Sequence, residues 1–290
     1  MIRKSIFEMR DSGEYDIQNE FDIISNLFNE NILIWHNNDQ YDFIDEYNTT
    51  IEQAIDVNCF CSWKQRGHSL NINDFKEKIG LYNTNTSDEI GIITFLEYFS
   101  NMIYLVDVKL SSSVFCHTNK YELLKGNIDI LLEHLNYEKH VFEEEEKVLL
   151  IPKNPMATSV AEISDEYTAN AIFQYHHESL KGNLEAKSDI LRRIATKYEL
   201  LLNNPKNSNF KKYCDTAMNA LNNLYIRHNN EKKDFFRNLR EEDKKELEKQ
   251  YDNLYEMILF CIQGQEKLIP AEHELSEFLK KVNQTEKTKE

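Results

Sequence analysis

The chain has 290 residues, 41% of them hydrophobic and 29% charged, so it is long enough to bury two cores and too apolar for a disordered protein. Its formal charge of -16 excludes a general nucleic-acid coat and an anionic-membrane binder, both of which need a net basic face. Residues 1–163 hold 13 Lys+Arg against 28 Asp+Glu, and residues 164–290 hold 21 against 22, so the acidity sits in the first half. Five cysteines without a CxxC pair point to neither a disulfide framework nor a zinc cluster. With no apolar signal core at the N-terminus and no long apolar run, the composition predicts a cytoplasmic protein with no membrane segment. Only 7 Gly and 4 Pro favour helices over a many-turned β architecture.

Phe21, Ile24, Leu27 and Phe28 recur at helical spacing and predict a helix over about 18–29. Ile32 to Trp35 is apolar and short, and reads as a strand or as the next helix. Asn48 or Thr49 caps a short helix through Ile51, Ala54, Ile55 and Val57, and a second short helix covers about 72–81. CFCSWKQRGHS, between them, finds no place in this scheme. Ser87, followed by Asp88 and Glu89, caps a long apolar helix to about Leu110, the centre of the first half. A further helix covers about 120–135. The run Glu143 to Glu146 reads as a solvated loop or edge, and Val148 to Ile151 as a strand stopped by Pro152 and Pro155. A domain boundary is placed there.

Beyond Pro155 four helices are expected. The first starts at Ser164, buries Tyr167, Ile172, Phe173 and Leu180 and ends at Gly182; the second covers about 184–202. The third starts at Ser208 and ends in Arg227, His228, Asn229 and Asn230; the fourth covers about 241–262. A short helix after Pro270 and a polar tail complete the chain. The expected architecture is mainly α: an α-rich domain over 1–155 with minor strands, an antiparallel helical bundle over 156–265, and a short helix with tail over 266–290.

The runs NPMATSVAEI, YHHESLKGNLEAKSDILRRIA, LNNLYIRHNN and YDNLYEMILF, in that order between 155 and about 268, resemble the C-terminal helical region of bacterial abortive-infection proteins. That region in turn resembles the HEPN superfamily of helical ribonucleases and RNA-associated domains. The resemblance implies a metal-independent endoribonuclease with no cofactor, in which an Arg and a polar neighbour work with a His four to six residues after the Arg. Here the Arg is Arg227 and the neighbour is His228, with Asn229 and Asn230 as polar support; the downstream window Lys232, Lys233 and Asp234 holds no histidine. Arg227 would grip phosphate through its forked donors, and His228 would exchange a proton. Arg192, Arg193, Lys232, Lys233, Arg237 and Arg240 would line an RNA path. The resemblance further implies a homodimer and a second protein of an antiviral defence system.

A non-catalytic dimerisation or partner-binding module is the competing expectation, in which Arg227 and His228 merely complement the helix dipole and Asn229 or Asn230 takes the left-handed cap. A metal-dependent hydrolase has least behind it, because the adjacent His176 and His177 diverge by about 100° on a helix.

Overall fold

The computed structural model describes residues 16–37, 45–110, 115–227, 236 and 238–287, with backbone alone at 36–37, 45–46 and 281–287. The protein is mainly α with small antiparallel sheets, and it divides into two compact units, 1–153 and 154–290.

The first unit is organised around α4, defined below. Ahead of it come α1 (Ile17–Asn29), β1 (Leu33–Asn37), β2 (Asp45–Thr49), α2 (Ile51–Asn58) and α3 (Ile72–Lys78). Helix α4 (Glu89–Lys109) is followed by β3 (Phe115–His117), α5 (Asn119–Leu135), β4 (Tyr137–Phe142) and β5 (Lys147–Pro152). The apolar run after α1 is therefore a strand; β1 lies at the centre of a sheet ordered β2-β1-β3, antiparallel on both sides. Helix α2 starts later than expected, because Thr50 and Gln53 form a reciprocal capping box. Helix α4 is capped by Asp88, whose carboxylate accepts from Gly91 N–H at 2.7 Å, and not by Ser87.

Helix α4 is apolar nearly all round, as a helix enclosed by its neighbours must be. Among the described residues it is the one helix long and apolar enough to cross a membrane, yet Ile92, Leu96, Phe99, Met102, Ile103 and Val106 are buried in the protein's own core. Helix α1 packs Phe28 on Phe99 with ring centroids 4.1 Å apart. The polar side chains of α4 are engaged as well. Asn101 donates to Val148 C=O at 2.7 Å and accepts from Val148 N–H at 2.8 Å, while Glu97 accepts from Leu150 N–H at 2.8 Å. Helix side chains thus take the place of a third strand on the outer edge of β5.

The stretch that resisted placement, CFCSWKQRGHS, holds the Glu143–Glu146 run through its residues Trp63, Lys64 and Gln65. Glu146, at φ +53°, closes the β4–β5 turn. Its carbonyl accepts from the Trp63 indole at 2.7 Å, and its carboxylate accepts from Lys64 N–H at 3.1 Å and from Lys109 Nζ at 2.8 Å. Lys64 Nζ and Gln65 Nε2 reach the carbonyls of Glu144 and Glu145, each at 2.6 Å. The acidic run is a turn, as the loop reading expects, with Glu143 and Glu144 exposed, and it is clasped by Trp63, Lys64, Gln65 and Lys109. Cys59 lies beneath it, and burial pushes its thiol up to about 11.

The second unit contains α6 (Pro155–Ala161), α7 (Glu166–Gln174), α8 (Leu184–Lys197), α9 (Glu199–Asn203), α10 (Ser208–Asn223), α11 (Glu241–Gln263) and α12 (Ile269–Lys287). Helix α6 was not among the expected elements; Asn154 caps it, and Pro155 enters at a position where a missing N–H costs nothing. The expected helix over 184–202 is broken at Tyr198 into α8 and α9. Helix α7 stops at Gln174 rather than continuing to Gly182.

Helix α11 is the axis of this core and packs on α6, α8 and α10. Tyr251, Leu254, Tyr255, Ile258, Leu259 and Ile262 are buried along it, each side chain of this size contributing about 1.5–3 kcal/mol when fully removed from water. A π-helical segment, Gly264–Leu268, leads from α11 into α12. Within it the buried Gln265 accepts from Lys206 N–H at 2.8 Å and donates to Cys261 C=O at 3.2 Å, which ties the α9–α10 connection to the end of α11. The sequence reading expects a short helix and a polar tail after Pro270; instead the helix runs to Lys287. Pro270 falls in the first turn of α12, where a proline is tolerated.

A β-carbon on Gly264 would lie 2.1 Å from Cε1 of the Phe210 ring. Gly264→Ala is expected to destabilise the chain by about 1–3 kcal/mol through overpacking, read as a lowered midpoint in a urea melt.

Candidate functional site

The segment singled out by sequence begins where α10 ends. The helix stops at Asn223, four residues before Arg227, so Arg227 is not in its last turn. Tyr225 is left-handed, at φ +59°; Asn229 and Asn230, of which a left-handed cap is expected, lie outside the described residues. Two contacts explain the early stop. Ile226 turns inward and is fully buried, and the Leu224 carbonyl, left without a helical partner, accepts from the Tyr251 hydroxyl at 2.8 Å.

Arg227 follows this reversal, its N–H donating to Leu221 C=O at 3.2 Å. Its guanidinium is directed back into the unit. Nη2 pairs with Glu199 Oε1 on α9 at 2.5 Å, and Nη1 lies 3.9 Å from Met218 Sδ on α10. The Arg227 side chain is 15% exposed and that of Glu199 is 42% exposed. The fork that would grip a phosphate is thus occupied by a carboxylate of the same unit. His228, Asn229, Asn230, Lys232, Lys233 and Arg237 lie outside the described residues.

The remaining candidates for an RNA path each have a partner nearby. Arg192 donates to Asp189 at 2.9 Å. Arg193 lies over the Tyr167 ring, 4.1 Å from its centroid. Tyr167, expected in the core, is 63% exposed and serves as that platform. Arg240 engages Asp243 through two bonds of 2.8 and 3.1 Å. Close by, Lys197 pairs with Asp165 at 2.6 Å, and this bond together with the Thr168 N–H holds the Asp165 carboxyl at about 2. Acidic neighbours pair with Arg192, Lys197 and Arg240, whereas Arg193 lies on an aromatic ring.

A second constellation was not anticipated. Lys187 sits on the inward face of α8 between Leu184 and Leu191 with a side chain only 7% exposed. Its ammonium contacts Glu248 Oε1 at 2.8 Å and Asp252 Oδ1 at 2.9 Å, one turn apart on α11. Tyr175 donates to the same Asp252 oxygen at 3.0 Å, and Gly182 N–H donates to Glu248 at 2.8 Å. Burial pushes the Glu248 carboxyl up, but the bonds from Lys187 and Gly182 outweigh it and leave the group below its ordinary value. The Tyr175 ring lies 5.2 Å from the Lys187 nitrogen and stacks on Tyr255 at 4.1 Å. Every member is satisfied within the unit, which marks the cluster as a structural joint between α8 and α11. The available signal was a lysine at a position where the helical period demands an apolar residue.

His176 and His177 lie beyond the end of α7, His176 in a turn and His177 in extended backbone, so the helical divergence expected of them does not apply, yet they engage different partners. His176 packs edge-on against Tyr255 at 4.9 Å with Nε2 3.4 Å from Glu256, and His177 caps a short turn through Ser179. Among the described residues no group of His, Cys, Asp and Glu side chains is arranged to hold a metal ion. All five cysteines are free thiols. Comparison of the chain with models of protein families, with curated proteins and with solved structures found no match.

Proposed function

We propose that the C-terminal unit is a non-catalytic, HEPN-like interaction module of a cytoplasmic bacterial abortive-infection protein, in which Arg227 braces the bundle instead of cleaving RNA. The observation that carries this reading is the Arg227–Glu199 ion pair. A phosphate-gripping arginine needs its donors free and turned toward solvent, whereas this one is largely covered and already neutralised. The pairing of Arg192 with Asp189 and of Arg240 with Asp243 agrees, since RNA binding draws its affinity from uncompensated cations. The defence assignment rests on the resemblance of the four segments between 155 and about 268.

The test is incubation of the purified full chain with total RNA in the presence of a chelator, run beside Arg227→Ala and Glu199→Gln. The wild type should leave the RNA intact. Both variants should lose about 1–3 kcal/mol of stability, between the values for an exposed pair and a fully buried one, with less than additive loss in the double variant. Chelator-resistant cleavage by the wild type that vanishes in a well-folded Arg227→Ala protein would overturn the proposal and restore the ribonuclease reading.

A further inference from the structure

The hairpin of β4 and β5 has two outer edges, and the chain covers only one of them. An antiparallel ladder alternates: at one opposed pair both backbones bond across, and at the next both turn their N–H and C=O outward. On β5 the outward residues are Val148 and Leu150, which Asn101 and Glu97 of α4 engage. Lys153 N–H donates to Asn136 C=O at 2.9 Å across the hairpin, which fixes the same alternation from its other end. Opposite Val148 and Leu150 stand Val141 and Lys139. These two therefore turn their N–H and C=O groups to the outer edge of β4, and among the described residues no donor or acceptor meets them. Two donors and two acceptors in a row, with the Val141 side chain 51% exposed beside them, form a template for one more strand.

The surroundings specify the guest. Lys139 and Val141 share one face of β4, and Glu138 and His140 the other. Lys139 is already paired with Asp129 at 2.5 Å, so its face offers the apolar Val141. On the other face Glu138 lies 3.1 Å from His140. Just past the strand, Glu143 and Glu144 are exposed, and among the described residues their carboxylates have no partner. The unit that holds the hairpin, residues 1–153, contains 13 Lys+Arg against 27 Asp+Glu. A second copy would bring the same acidic excess to the same edge, whereas a basic segment is drawn to it.

We propose that the outer edge of β4 is a docking site for an extended basic segment of another protein, which adds to the hairpin as a third strand. The guest sets β-branched side chains on the Val141 face and Lys or Arg on the Glu138 face. This concerns the first unit and is independent of the reading of the C-terminal one. With few main-chain bonds and one apolar contact, the affinity is expected to be modest, roughly 10–500 μM.

The probe is a capped ten-residue peptide in which Val alternates with Lys, added to the isotope-labelled full chain while amide exchange is followed by NMR. Saturating peptide should slow exchange at Lys139 and Val141 by at least about tenfold and leave Glu138 and His140, which bond to β5, within about twofold. Absence of protection at about 1 mM peptide overturns the site. Two N-methylated peptides, each blocked at alternate amides, should part: the one methylated on the amides facing β4 should not bind, and the other should. Equal binding by both overturns strand addition. A peptide with Glu for every Lys should bind at least about tenfold more weakly, and equal affinity overturns the basic partner. Val141→Pro removes an outward N–H without touching the β5 ladder, so it should abolish protection at Lys139 with the helical spectrum unchanged; retained protection overturns the edge as the contact. The methylated peptides act on the wild type and decide the matter if that variant unfolds. Protection of Lys139 and Val141 that rises with protein concentration alone, without peptide, assigns the edge to a second copy and overturns the basic guest.

Discussion

Replacing Lys187 with alanine is expected to lower the unfolding free energy at neutral pH by about 3 kcal/mol. Removing one partner of a buried ion pair leaves the other charge uncompensated, at a cost of about 3–5 kcal/mol, and the 41% exposure of Asp252 places this case at the lower end. Lys187→Met should cost less, because it keeps a stem to lie over the Tyr175 ring. The deficit should depend on pH with a definite sign. Glu248 has a depressed pKa in the folded protein, so its contribution is fully present above the unfolded value of about 4.3 and fades as pH falls through the folded one. Urea melts of wild type and variant should therefore diverge most above about pH 5 and converge in acid. A deficit below about 1 kcal/mol at pH 7 would mean that the joint between α8 and α11 is held by its apolar contacts alone.

Trp63→Ala should be as damaging in the first unit, at about 3–5 kcal/mol, because the ring is 3% exposed and packs edge-on against Phe75 at 5.0 Å. Trp63→Phe separates packing from hydrogen bonding. It retains an aromatic ring but deprives the Glu146 carbonyl of its indole donor, so about 1–2 kcal/mol should be lost. Unfolding followed by far-UV circular dichroism measures both without relying on the fluorescence of the residue being changed. Equal losses in the two variants would show that the clasp, and not the packing, dominates.

These two positions illustrate what could be read ahead of the structure and what could not. Helices with strong local period and start signals were legible: α1, α4, α5 and α11 lie within a residue or two of where Phe21 to Phe28, the Ser87–Glu89 start, Leu124 to Leu132 and Leu247 to Ile262 put them. Features made by two distant stretches were not. Trp63 and Glu146 satisfy each other across 83 residues, and neither segment has a periodicity of its own. Arg227 and Glu199 are 28 residues apart, so the arginine's partner was invisible while its chemistry was conspicuous. Lys187 was hidden for the opposite reason: a lysine among apolar residues reads as an interruption of the face, although here it fills the face. Tyr225 takes a left-handed conformation that Asn229 or Asn230 would adopt at less cost, because burying Ile226 decides where the chain must turn. A helix after Pro270 was legible, but its length was not: α12 runs from Ile269 to Lys287 rather than forming a short helix.

The side chains of Asn101 and Glu97 along β5 bear on how the chain survives its own synthesis. An open strand edge is a template on which a neighbouring chain can pair, and a two-stranded hairpin has no sheet beyond it to cover that edge. On a ribosome, α4 at 89–109 emerges before the hairpin at 137–152, so the helix that supplies these two residues is available when β5 first appears. The vectorial order of translation thus delivers the guard ahead of the strand, and nascent chains crowded on one messenger meet each other with this edge already taken.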